Sequence, residues 1–64
     1  MVNKDELKKL MAAQGIDGRE LARCAKVSDA MMSYILSGDK VPGLATIGRI
    51  AKRLGCKVED IIIY

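Results

Sequence analysis

The sequence predicts an all-α fold, a compact bundle of five short helices formed by a single domain of residues 1–64. Apolar residues recur at the three- and four-residue spacing of amphipathic helices, and residues that cap helices precede these segments. Glycine follows the first, third and fourth segments, where helices commonly end with a positive φ. No stretch before the tail alternates apolar and polar side chains as a half-buried strand does.

The first helix is predicted to begin after Asn3 and to end at Gly15. Asn3 is a favourable N-cap, Glu6 completes a capping box, and Val2 and Leu7 form a hydrophobic staple across it. The residues expected on its inner face are Leu7, Leu10, Met11 and Gln14.

Two shorter helices are predicted next, with only Lys26, Val27 and Ser28 between them. Asp17 caps the second helix and Ser28 caps the third, which ends at Gly38. The expected inner faces are Leu21, Ala22 and Ala25 on the second helix, and Met32, Ile35 and Leu36 on the third, with Met31 pointing outward.

A fourth helix is predicted to begin near Gly43, after Pro42, and to end before Gly55. Residues 58–63 are expected to form a fifth helix of about a turn and a half. The residues expected on the inner face of the fourth helix are Leu44, Ile47, Ile50, Ala51 and Leu54.

Composition excludes several classes of function. The chain has 2 cysteines, no histidine and no CxxC pair, so it lacks the ligands of a structural zinc site, and Cys24 and Cys56 are expected to be reduced packing residues. No residue pattern suggests an enzyme, a cofactor or a small-molecule substrate. No apolar run is long enough to span a membrane and no signal peptide is evident, which predicts a cytoplasmic protein.

The short joint between the second and third helices is typical of a helix-turn-helix, here over about residues 18–37. Ala22 lies where the two helices must approach closely, and a larger side chain there would clash. The segment Gly18–Gly38 resembles the Cro/CI (XRE) DNA-binding domain, and the resemblance continues through residues 40–42 and 44–55. The framework that carries it is Leu21-Ala22, Val27-Ser28, Met32, Ile35, Gly38, Ile50-Ala51 and Leu54-Gly55.

Three departures from the family pattern are informative. Gly18 stands where glutamine is usual, which leaves only a backbone N–H to reach a phosphate. Lys26 stands where glycine is common, and a left-handed conformation there would cost about 1 kcal/mol. Met11 and Leu36 replace an Arg–Glu pair that similar repressors often carry, and we predict that their side chains touch.

The resemblance implies sequence-specific binding of double-stranded DNA by a transcriptional regulator, in the manner of small phage or mobile-element repressors. The third helix would lie in the major groove. The candidate base-reading residues are Ser28, Asp29, Ala30, Ser33 and Tyr34, none of which forms the strong bidentate contacts of Arg, Asn or Gln. Asp29 has an alternative role in stabilising the helix start, and Tyr34 as an ordinary half-buried ring.

The resemblance also implies the phosphate contacts, which would supply most of the affinity. The candidates are Gly18, Arg19, Arg23, Lys40 and Gly43. A further basic group on the fourth helix is interpreted as a solvated face, and its members are Arg49, Lys52 and Arg53.

The carboxyl-terminal tail, residues 58–64, predicts a homodimer on a pseudo-palindromic operator. Three consecutive isoleucines cannot all face one small core, so an apolar surplus remains for a partner subunit. The tail is free to dock as a helix or a strand, and a frayed end is the alternative. The expected contact residues are Ile61, Ile62, Ile63 and Tyr64. The competing function is a protein-interaction module, such as an antitoxin or accessory factor with the same fold.

Overall fold

The computed structural model describes residues 2–63 and confirms the all-α prediction. Within this range the fifth helix is shorter than predicted, and the only β-type pairing is one isolated β-bridge. The helices are α1 (Lys4–Gln14), α2 (Gly18–Ala25), α3 (Asp29–Ser37), α4 (Leu44–Leu54) and α5 (Val58–Ile61). None of these helices has the length and apolar character needed to cross a membrane.

The three polar N-caps form as predicted. Asn3 Oδ1 accepts from the Glu6 N–H at 3.2 Å, and Asp17 Oδ1 accepts from the Glu20 N–H at 2.9 Å. The Asn3 capping box is incomplete, because the Asn3 N–H donates to the Ile61 carbonyl at 2.8 Å instead of to the Glu6 side chain. The N-terminus of α1 is thereby tied to α5 by a backbone hydrogen bond.

The core is aliphatic and receives side chains from every helix. A hydrophobic side chain that leaves water contributes about 1.5–3 kcal/mol, so a few large groups account for most of the burial. The fully buried large side chains are Leu7, Leu21, Met32, Ile35, Ile47, Ile50 and Ile61. Six of these seven lie on the predicted inner faces, and Ile61 comes from the tail.

Two predictions about apolar orientation are wrong. Leu44 is 88% exposed, because it is the first residue of α4 and lies a turn before Ile47, beyond the edge of the core. Met31 is half-buried and packs against the core instead of pointing outward. Its neighbour Met32 is buried, so the inward face of α3 is wider than the sequence period suggested.

The two cysteines differ in environment, and neither forms a disulfide. Cys56 is half-buried against the core, as expected of a packing residue. Its burial raises the pKa of the thiol, and the Asp60 carboxylate adds to the effect, so the thiol stays protonated at neutral pH. Cys24 is exposed, because the inner face of α2 is formed by Leu21, Ala22 and Ala25. The prediction that Cys24 is a packing residue is therefore wrong.

The isoleucine tail is largely part of the monomer. Ile61 has no exposed surface, and Ile62 packs against the core and pairs with Val2 in an antiparallel β-bridge. The dimer contact predicted for Ile61 is therefore wrong, because the small core needs this side chain to close α5 onto α1 and α4. Ile63 is 48% exposed, and Tyr64 lies outside the described residues.

Lys26 adopts the left-handed conformation that the sequence comparison suggested. Its φ is 60°, and it is the only residue other than glycine with a positive φ among residues 2–63. The cost for an L-residue is about 1–2 kcal/mol. This strain is located in the turn that joins α2 to α3.

We expect Lys26→Gly to stabilise the fold, because glycine adopts this φ without a clash. The gain should be about 0.5–1 kcal/mol after the greater freedom of glycine in the unfolded chain is subtracted, which raises the thermal midpoint by several degrees. Lys26→Ala is the matched control, since it removes the same charge and keeps the Cβ. An equal gain in both variants would show that the charge is responsible.

Candidate nucleic-acid interface

The turn between α2 and α3 is short and closed by backbone hydrogen bonds. The Val27 N–H donates to the Ala22 carbonyl at 3.0 Å, and the Lys26 N–H donates to the Arg23 carbonyl at 3.2 Å. Ala22 is 1% exposed, so a larger side chain has no space at this position. These contacts fix the direction in which α3 leaves α2, as a helix-turn-helix requires.

The outer face of α3 carries the residues predicted to read bases. Met32 and Ile35 are buried on the opposite face, as the helical period requires. Ser28 Oγ accepts from the Met31 N–H at 3.0 Å, so this hydroxyl caps α3 and keeps its own hydrogen for another acceptor. The five candidates are all exposed: Ser28, Asp29, Ala30, Ser33 and Tyr34.

Two adjoining surface concavities lie between the first turns of α2 and the first turns of α3. One has a volume of about 380 Å³ and the other about 370 Å³, and Arg19 and Asp29 line both. Gly18 and Ser33 line the first, whereas Arg23 lines the second. The structure therefore brings three of the predicted phosphate contacts to the same surface as the polar start of α3.

Gly18 faces Leu36 across the first concavity. A Cβ built at Gly18 would lie 3.4 Å from Leu36 Cδ1, so the glycine backbone and the leucine side chain share this space. Met11 is buried and Leu36 is half-buried against the core, and neither side chain lies in solvent. The direct contact between Met11 and Leu36 stays a prediction.

The chain reverses after α3 and returns Lys40 to Tyr34. The Tyr34 carbonyl accepts from the Asp39 N–H at 2.9 Å and from the Lys40 N–H at 3.3 Å, with Gly38 at a φ of 84°. Lys40 Nζ lies 5.1 Å from the centroid of the Tyr34 ring, within range of a cation–π interaction. Sequence reasoning treated the two residues separately, because their proximity depends on the glycine turn between them.

Gly43 is the N-cap of α4 and offers no side-chain cap. The first-turn N–H groups of a helix have no intrahelical acceptor, so those of α4 point out of its N-terminus. A helix N-terminus of this kind accommodates a phosphate through backbone donors and the helix dipole. At α2, by contrast, the Asp17 carboxylate already accepts from the third residue of the helix, Glu20.

The fold and this surface together define a helix-turn-helix protein. The exposed face of α3, its second helix, carries polar groups with cations beside them. Residues 6–64 match the family model of the Cro/C1-type HTH DNA-binding domain, and the chain therefore belongs to this family. Comparison with curated proteins finds no match to the chain. Membership supports DNA binding by a transcription regulator in general, and such domains are typically not enzymes.

The Tyr34–Lys40 contact is testable by NMR spectroscopy. The Lys40 side-chain methylene protons should be shifted upfield by the ring in the native protein and in Tyr34→Phe, and the shift should be lost in Tyr34→Leu. The stability of Tyr34→Leu should fall by no more than about 1 kcal/mol, because the contact is exposed. Lys8, on the exposed face of α1, is the internal control. An unshifted Lys40 in the native protein would contradict the geometry.

Proposed function

We propose that the chain is a repressor that binds a specific double-stranded DNA sequence with α3 in the major groove. The observation that carries the proposal is the shared surface of Arg19, Arg23 and the polar start of α3. Cations beside a recognition helix hold the DNA backbone, and the helix then presents its side chains to the base edges.

The base-reading set would give modest specificity. Asp29 accepts a hydrogen bond from cytosine N4, Ala30 packs against a thymine methyl group, and the Ser33 hydroxyl pairs with several bases. Asp29 has no salt-bridge partner within residues 2–63, so its carboxylate is available. Its negative charge repels phosphate, so a hydrogen bond from a base is the DNA contact that suits this side chain.

Phosphate contacts would come from both sides of α3. Arg19 and Arg23 lie on one side, with the Gly18 N–H at the start of α2. Lys40, held over the Tyr34 ring, and the amide groups that follow Gly43 lie beyond the end of α3. Because the Tyr34 ring holds Lys40, Tyr34 would help to position the DNA backbone in addition to any contact that it makes with a base.

The proposal predicts saturable, salt-dependent binding to a sequence selected from random duplex DNA. Arg19→Gln should weaken binding to all sequences alike and reduce the slope of log affinity against log salt by about 0.9, because one phosphate contact is lost. Ser33→Ala should instead change the preferred sequence. Lys9→Gln, on the exposed face of α1, is the charge-matched control and should leave the base preference unchanged. Absence of duplex binding at low salt would refute the proposal.

We further propose that two copies bind a pseudo-palindromic operator, with recognition helices about 34 Å apart. The half-exposed Ile63 supports an apolar contact at the chain end, although Ile61 is already buried within the monomer. A two-fold contact at this end would use the same patch on both subunits.

Sedimentation should detect a dimer at high micromolar concentration. Ile63→Ser should shift the equilibrium toward monomer, because it removes apolar surface from the contact. Leu44→Ser is the matched control, since Leu44 is an exposed aliphatic residue at a different position. Dissociation by Leu44→Ser alone would move the contact to α4, and a native monomer would refute the dimer.

A further inference from the structure

A basic groove lies between α2 and α4, outside the candidate DNA surface. Its volume is about 370 Å³. Of the described residues, those that line it are Cys24, Arg49, Lys52 and Arg53, and none is acidic. We call this feature the α2–α4 groove.

The charge of the α2–α4 groove is only partly balanced within the chain. Arg53 is held in place: Nη1 donates to Gln14 Oε1 at 3.4 Å, and Nη2 lies 3.9 Å from the Glu20 carboxylate. Within residues 2–63, Arg49 and Lys52 have no hydrogen-bond or ion-pair partner. The groove therefore combines one positioned guanidinium with two unpaired cations.

The helix dipole explains only part of this cluster. Lys52 and Arg53 lie in the last turn of α4, where cations are stabilising. Arg49 lies a full turn earlier, at the i, i+4 spacing from Arg53, where like charges repel. An anionic ligand would remove that repulsion.

The position of the groove favours a protein ligand over the bound duplex. The N-termini of α2 and α4 carry the candidate phosphate contacts, Gly18 and Gly43. At 1.5 Å per residue, Cys24 lies about 9 Å along α2 from its N-terminus, and Arg49 and Arg53 lie about 9–15 Å along α4. On both helices the groove residues therefore lie away from the N-terminus that carries a candidate phosphate contact.

We propose that the α2–α4 groove binds an acidic helical segment of another protein while the opposite ends of the same helices hold DNA. Carboxylates one helical turn apart match the spacing of Arg49 and Arg53 on α4. Charge-assisted hydrogen bonds from the guanidinium groups would provide orientation. The Cys24 side chain and the aliphatic parts of the arginines would contact apolar residues beside the carboxylates. The location of the duplex in this proposal rests on the proposed function.

The test uses a capped, fluorescein-labelled helical peptide of about 16 residues, with Glu at successive i, i+4 positions flanked by Leu. It is titrated into the full chain alone and into the chain saturated with its selected duplex. The variant is Arg49→Gln/Lys52→Gln, which keeps the Arg53 contacts to Gln14 and Glu20. The charge-matched control is Lys8→Gln/Lys9→Gln on the exposed face of α1. A peptide with Gln in place of Glu controls for apolar binding.

We expect saturable binding to the native chain with and without duplex. The affinity should fall by about five- to tenfold in Arg49→Gln/Lys52→Gln and by less than about twofold in Lys8→Gln/Lys9→Gln. The Gln peptide should bind as weakly to the native chain as the Glu peptide binds to the groove variant. Duplex affinity and its salt slope should be the same in the groove variant as in the control.

Several results would overturn the proposal. Equal losses in the two variants would show that the peptide senses only net charge, and displacement of the peptide by duplex would place it on the DNA surface. A smaller salt slope for duplex binding in the groove variant would assign the groove to DNA. If the chain binds no duplex, the proposed function fails, whereas the contrast between the two variants in the free chain still decides whether the groove binds an acidic segment.

Discussion

The short turn between α2 and α3 sets the direction of α3 and therefore the surface that α3 exposes. Ala22 is buried just before this turn, and its carbonyl accepts from the Val27 N–H. That turn requires Lys26 to adopt a left-handed conformation, which is unfavourable for a residue with a Cβ. Burial of Leu21 on α2 and of Met32 on α3 offsets this strain.

The small core contains no Phe or Trp, and contacts between the ends of helices help to specify how it packs. Polar caps start three of the helices, and one backbone hydrogen bond ties α1 to α5 through Asn3 and Ile61. Gln14 joins the end of α1 to the end of α4, since its side-chain amide donates to the Leu54 carbonyl and its oxygen accepts from Arg53. In a domain of 64 residues, where burial is limited, such end contacts reduce the number of alternative packings.

The net charge of +3 is informative only once its distribution is known. Two cations, Arg19 and Arg23, lie beside the polar start of α3, and Lys40 lies over the Tyr34 ring. Another set of cations lines the α2–α4 groove. Arg19 and Arg23 lie on α2 and the cations of the groove lie on α4, and these two helices contribute to one core.

The fold class, the helix starts and most of the inner faces could be predicted from the sequence alone. These depend on local chemistry, because Asn3, Asp17 and Ser28 each accept from an N–H three residues later, and the helical period orients the next turns. The exposed positions of the five base-reading candidates on α3 follow from the same period.

The positions of the helix ends relative to the core depend on how the helices pack together. Leu44 lies beyond the edge of the core, although its helical spacing matches that of Ile47. Ile61 is buried, although three consecutive isoleucines predicted an apolar surplus in the tail. The proximity of Lys40 to Tyr34, and of Cys24 to the basic residues of α4, likewise depends on how the chain turns between helices. Periodicity specifies direction around one helix axis, but the boundary of a core is set by the neighbouring helices, which the local sequence does not contain.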